Sequence, residues 1–244
     1  MPIDHLAHLR READLLAEVA RTTPLDTPVP ACPRWDLARL LRHVGRIYRS
    51  TALVTVDGVQ PDRDAVGLPP EDPAEVAAWF AESADIVLAA LATIDPDAPA
   101  WNPFGAPGGM GYWPRRMALE TAVHRWDAEQ AAGHLSPVDP ELAADGTDEA
   151  LHIYTALQVA RSDVPTPAGT LHLHATDAAG EWTLRGEDGR LVIEDGHAKG
   201  DAAVRGPAEG LLLVLWQRLP LEETALEVFG DRATFDAWMA YGMP

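Results

Sequence analysis

Up to about residue 160 the apolar residues of this chain recur at three- and four-residue intervals; from Leu171 they recur at every second position. The first spacing fits a helix face and the second a strand face, so the chain divides into a helical part and a mixed part. Leu6, Leu9, Ala13, Leu16 and Ala20 predict an amphipathic helix over 4–21, ended by the proline-rich residues 24–33. Asp36 is placed to cap a second helix over about 37–55, whose apolar side carries Leu37, Leu40, Leu41, Val44, Ile47 and Tyr48. Asp72-Pro73-Ala74-Glu75 marks the start of a third, with an N-cap carboxylate, a first-turn proline and a capping-box glutamate. Pro114 opens a fourth helix that runs to Ala132 and stops at Gly133. Four helices on long connections predict a four-helix bundle.

A further helix around 141–160 leads into Ser162-Asp163-Val164-Pro165-Thr166-Pro167, a helix-breaking run. Strands follow: Leu171, Leu173 and Ala175 alternate with His172 and His174, Trp182 and Leu184 alternate with Thr183 and Arg185, and Leu191-Val192-Ile193 forms a third. Residues 177–180 and Asp188-Gly189 are turn sequences between them. Another strand over 201–206, a buried helix over 207–218 and a closing helix over 231–241 complete a small α+β domain with a mainly antiparallel sheet. The expected division is 1–138 and 139–244, and 244 residues suffice for two cores.

Thirty-eight acids against nineteen bases give a formal charge of −19, and Lys199 is the single lysine. Phosphate backbones and anionic membranes require clustered cations, so neither nucleic acid nor membrane is an expected partner. Cys32 is the only cysteine, which excludes an internal disulfide and fits a cytoplasmic location. No base lies near it in sequence to make it a nucleophile. Met1-Pro2-Ile3-Asp4-His5 has none of the features of a signal peptide, and the longest apolar run, Leu211 to Trp216, is too short to span a bilayer.

The chemistry concentrates in Arg115-Arg116-Met117-Ala118-Leu119-Glu120-Thr121-Ala122-Val123-His124-Arg125-Trp126-Asp127. Glu120 and His124 are four apart and share a helix face. A third ligand from another helix would complete a His/Glu/His set with one position open, as in catalytic rather than structural zinc sites. His43, in Leu40-Leu41-Arg42-His43-Val44-Gly45, is a candidate. The alternative is an ion-paired Glu120 with each histidine filling a polar gap. Asp127, one turn beyond His124, suits either an outer hydrogen bond to the imidazole or a helix-surface salt bridge with Arg125 or another base. His172 and His174 share a strand face but lack an evident third ligand, which predicts an exposed polar face. The aromatic loop 101–113 fits a pocket lid or core packing.

The context of His43, the Glu120/His124 helix, His172-Leu173-His174-Ala175-Thr176-Asp177, Glu181-Trp182-Thr183-Leu184 and Gly206-Pro207-Ala208-Glu209-Gly210 together resemble the mycothiol-dependent maleylpyruvate isomerase family. The resemblance covers nearly the whole chain. It implies a DinB-like metal-binding helical bundle followed by a family-specific C-terminal domain. It further implies zinc, or another divalent metal, on His43, Glu120 and His124, with mycothiol as thiol cosubstrate. In the family's reference reaction the thiolate adds to the double bond of maleylpyruvate, the new single bond rotates, and elimination gives the trans isomer. The family places a C-terminal arginine at the active site, for which Arg218 is the counterpart and Arg205 a competitor; Arg46 is a further cation near His43. Two other functions remain compatible with the residues: thiol S-transfer to another electrophile, and non-catalytic metal or ligand binding. The expected partners are a small electrophile and a low-molecular-weight thiol, with the protein a monomer or homodimer.

Overall fold

The computed structural model describes residues 3–161 and 165–241. Met1, Pro2 and the Ser162-Asp163-Val164 part of the expected break lie outside them. Two compact units divide between Ser136 and Pro137.

The first unit is helical. Four long helices, α1 (His5–Thr22), α2 (Leu37–Asp57), α4 (Pro73–Leu91) and α5 (Tyr112–Ala132), are accompanied by the one-turn α3 (Arg63–Val66) in the loop after α2. The starts are capped as the sequence requires: Asp36 accepts from Arg39 N at 2.7 Å and Asp72 from Ala74 N at 2.9 Å. Helices α2 and α5 end on Gly58 and Gly133, both left-handed at φ 73°. Helix α5 begins two residues before Pro114, after a single 3-10 turn at Gly109–Gly111. The ring therefore sits inside the first turn, where its missing N–H has no intrahelical partner to lose.

Helix α5 is the core of the unit. Sixteen of its twenty-one residues are buried, which leaves no solvent face. It packs against α1 and α2, while α4 covers α1 and α2. Gly45 permits the close approach of α2 and α4, because a Cβ there would stand 2.3 Å from the Trp79 ring. Tyr112 and Trp113 are buried and their rings meet edge-on at 5.3 Å, so both pack in the core rather than forming a lid. Asn102 organises the preceding loop, its Oδ1 accepting from Phe104 N and Ala106 N.

The second unit opens with α6 (Pro140–Glu149), a π-helical stretch Ala150–Thr155, and α7 (Ala156–Arg161). The strands are β1 (Leu171–Ala175), β2 (Glu181–Glu187), β3 (Arg190–Asp195), β4 (Ala202–Gly206) and β5 (Glu227–Gly230), in sheet order β3-β2-β1-β4-β5. Among the described residues only the β1–β4 pairing is parallel. Asp188 and Gly189 both take positive φ, which makes the tight β2–β3 hairpin. Leu171, Leu173, Trp182, Leu184, Ala202 and Val204 are buried on the sheet, and α8 (Ala208–Leu215) contributes Leu211, Leu212, Leu213 and Leu215. Asp177 accepts from Ala208 N at 2.8 Å at the start of α8. The chain closes with α9 (Arg232–Met239). Strand β5 and the turn Leu221–Glu223 have no counterpart in the sequence reading.

Candidate metal centre

Helices α2 and α5 bring His43, Glu120 and His124 together, with their ligand atoms within 4.8 Å of one another. Both imidazole Nε2 atoms stand 3.3 Å from the same carboxylate oxygen, Glu120 Oε1. Zinc bonds of about 2.0–2.1 Å in a tetrahedron place donor atoms roughly 3.3–3.4 Å apart, so this spacing fits one shared ion. The donor set, two imidazoles and one carboxylate, also suits such an ion.

The surroundings fix two of the three side chains. Glu120 and His124 are 8% exposed, and His43 is half-buried. Arg116, one turn before Glu120, ion-pairs through Nη2 with Oε2 and leaves Oε1 toward the histidines. His124 Nδ1 meets Asp127 Oδ2 at 3.0 Å, which directs Nε2 toward Oε1. This is the arrangement by which a carboxylate orients a metal-binding imidazole. Arg125 plays no part in it. Instead it is fully buried and bonds Glu12 at 2.7 Å and Glu129 at 2.8 Å, so of the two alternatives for Asp127 the outer hydrogen bond to the imidazole is the one observed, and Arg125 belongs to a core network.

Burial pushes the Glu120 carboxyl up, but the Arg116 guanidinium and His124 outweigh it and hold the group well below the usual carboxylate range. Burial likewise lowers His124, yet the Glu120 charge and the Asp127 hydrogen bond dominate and raise it to about 9. Trp35, just before α2, forms an aromatic wall, with its ring 4.8 Å from that of His43 and 6.1 Å from that of His124. The Arg39 guanidinium lies over the Trp35 ring at 5.6 Å. Tyr48 and Thr121 tie the same two helices through a buried 2.6 Å hydrogen bond.

Sequence reasoning missed Arg116 and Trp35. The Arg116-x3-Glu120-x3-His124 ladder carried a signal for the arginine, whereas Trp35 joins the site only through the tertiary fold. Arg46 is half-buried on α2. Arg218 lies just after α8 in the second unit, donating from Nη1 to the Trp216 carbonyl at 2.8 Å with its guanidinium over that indole. Arg205 is exposed on β4 in register with His174 and Glu227. The His172/His174 face departs from expectation: His172 is only 5% exposed, and Glu181 supplies a third potential ligand.

The profile of the mycothiol maleylpyruvate isomerase N-terminal domain matches residues 6–129, and that of the MDMPI C-terminal domain matches residues 141–237. Among solved structures, the mycothiol-dependent maleylpyruvate isomerase superposes with a TM-score of 0.61 at 12% identity, over 88% of this chain and 89% of the other. A histidine-to-alanine mutant of mycothiol-dependent maleylpyruvate isomerase gives 0.62 at 11% identity, over 92% of each chain. No curated protein matches the sequence.

Proposed function

The chain belongs to the mycothiol-dependent maleylpyruvate isomerase family, and from that premise we propose that it is a zinc-dependent enzyme acting with mycothiol on a maleylpyruvate-like substrate. The observation that carries the reading is the convergence of His43 Nε2 and His124 Nε2 on one oxygen of Glu120, each at 3.3 Å. These three residues would hold the ion, with Asp127 orienting His124 and Arg116 orienting Glu120. Zinc in such a site supplies a Lewis acid that keeps a bound thiol deprotonated near neutral pH.

The thiol is external, because Cys32 is the chain's only cysteine and lies outside the ligand group. Its sulfur adds to the activated carbon–carbon double bond, leaving a carbanion that the adjacent carbonyl stabilises as an enolate. Rotation about the resulting single bond and expulsion of the thiolate restore the double bond as the trans isomer. No atom is gained or lost, and the thiol is regenerated. Trp35 packs its ring against both imidazoles on one side of the pair. Arg218 is the proposed partner of a substrate carboxylate, since a guanidinium can bind one bidentately.

A coupled assay with zinc-loaded protein, mycothiol and maleylpyruvate tests the reaction. Trans product at constant mycothiol supports isomerisation; an accumulating thioether adduct replaces it with S-transfer; no reaction with either removes the substrate assignment. His124→Ala is expected to lose metal and activity together, and full retention of metal would overturn the ligand set. Arg218→Ala is expected to raise KM for a dicarboxylate at unchanged zinc content.

A further inference from the structure

A second group of ligating side chains lies on the β1–β2 hairpin. His172 and His174 are two residues apart on β1 and therefore share a face. Thr183 lies opposite His172, and Glu181 opposite His174. His172 Nδ1 is 3.0 Å from Thr183 Oγ1, while its Nε2 is buried and makes no hydrogen bond. That Nε2 is 3.4 Å from Glu181 Oε2, and His174 Nε2 is 3.8 Å from Glu181 Oε1. Ligand atoms of all three residues fall within 4.8 Å of one another. A fourth side chain comes from the turn after β3, where His197 Nδ1 stands 3.0 Å from Glu181 Oε2. Gly196 N donates to the Glu181 carbonyl at 2.9 Å and holds that turn against β2.

A buried histidine kept for packing ordinarily satisfies both ring nitrogens. His172 bonds Thr183 through one, and through the other it meets the Glu181 carboxylate at 3.4 Å. In the tautomer whose Nδ1–H donates to Thr183 Oγ1, Nε2 presents its lone pair to the group, the outer-hydrogen-bond pattern of metal-binding imidazoles. Imidazole nitrogens with one carboxylate select a borderline transition-metal dication over calcium or magnesium. Arg205, in register with His174 on β4, is exposed and has Glu227 opposite it on β5. We propose that His172, His174 and Glu181, with His197 hydrogen-bonded to Glu181 at its edge, form a second binding site for a zinc-class divalent cation, separate from the α2/α5 centre. Such an ion ties β1, β2 and the turn after β3 into one unit.

The test titrates Zn2+ into full-length protein carrying His43→Ala and His124→Ala, with binding followed by calorimetry and fold by circular dichroism. One equivalent is expected to bind. Adding His174→Ala or Glu181→Gln should weaken it at least about tenfold, and Thr183→Val about 10- to 100-fold through loss of the Nδ1 partner. No zinc uptake by the doubly substituted chain, or affinity unmoved by His174→Ala and Glu181→Gln, overturns the proposal. If the doubly substituted chain does not fold, zinc is titrated into the unsubstituted protein under imidazole NMR. The site predicts zinc-dependent shifts at His172 and His174, and their constancy while His43 and His124 respond overturns it. Loss of the α2/α5 centre would appear separately, as silence at His43 and His124.

Discussion

Glu120 is held between a guanidinium and two imidazoles, so its local chemistry depends on what occupies the space beside Oε1. In the metal-free chain a proton on His124 does so, and the imidazole is raised from 6.5 to about 9. The ion pair therefore adds stability that is fully present below about 6.5 and is lost as pH rises through about 9. A metal bound through His124 Nε2 must displace that proton. Zinc affinity should consequently rise with pH up to about 9 and then level, and binding near pH 7.5 should release about one proton. Calorimetry in two buffers of different ionisation enthalpy measures the release; none would show that His124 is not a ligand. Arg116→Met should weaken zinc about 10- to 100-fold, since the carboxylate loses the group that fixes Oε2; equilibrium dialysis reads this directly. The carboxylate and imidazole were legible because i,i+4 spacing on a helix dictates adjacency. Trp35 was not, because its contacts with His43 and His124 depend on how the segment before α2 meets α5.

Helix α5 was legible as a helix from Pro114, Gly133 and its spacing, but its environment was not. Spacing allowed Asp127 and Arg125 a helix-surface salt bridge, yet Arg116, Glu120, Arg125, Asp127 and Glu129 are all buried. Each charge is tolerated because an opposite charge or an imidazole pairs with it, and such pairing is invisible when the partner lies on another element, as Glu12 does on α1. Arg125 is the clearest case, bonded to Glu12, Glu129 and the Ser136 carbonyl. Arg125→Met should destabilise the protein by about 3–5 kcal/mol, because two carboxylates remain buried without their cation. Adding Glu12→Leu and Glu129→Leu should recover most of the loss. Urea unfolding of the two variants checks both statements, and equal destabilisation would show that packing rather than charge is decisive. The β1 histidines failed for a related reason. Alternation correctly put Leu171 and Leu173 on one face, but it could not show that Thr183 and Glu181 on β2 complete the other. Strand β5 offers only Glu227-Val228-Phe229-Gly230, mostly exposed and too short for periodicity to register.

At the scale of the whole chain, the change in hydrophobic spacing was enough to separate a helical unit from an α+β unit, since period alone distinguishes helix from strand. Spacing carries no information about the single parallel pairing, β1 with β4, which arises because the chain returns to the sheet beside β1 after the β2–β3 hairpin. Charge is the other property of the whole chain with a functional consequence. A protein of net charge −19 repels a dicarboxylate at long range, even where an arginine receives it at contact. Salt screens the long-range part over a Debye length of about 10 Å at 0.1 M, while a buried contact is screened much less. Under conditions where association limits turnover, kcat/KM for a dianionic substrate should therefore rise between low ionic strength and about 0.15 M. A neutral electrophile given the same thiol should respond much less, which separates substrate repulsion from any effect of salt on the thiol. A fall in the dianion's kcat/KM over that range would mean that local arginines, rather than the net charge, govern encounter. Arg218→Ala would then be expected to abolish the fall.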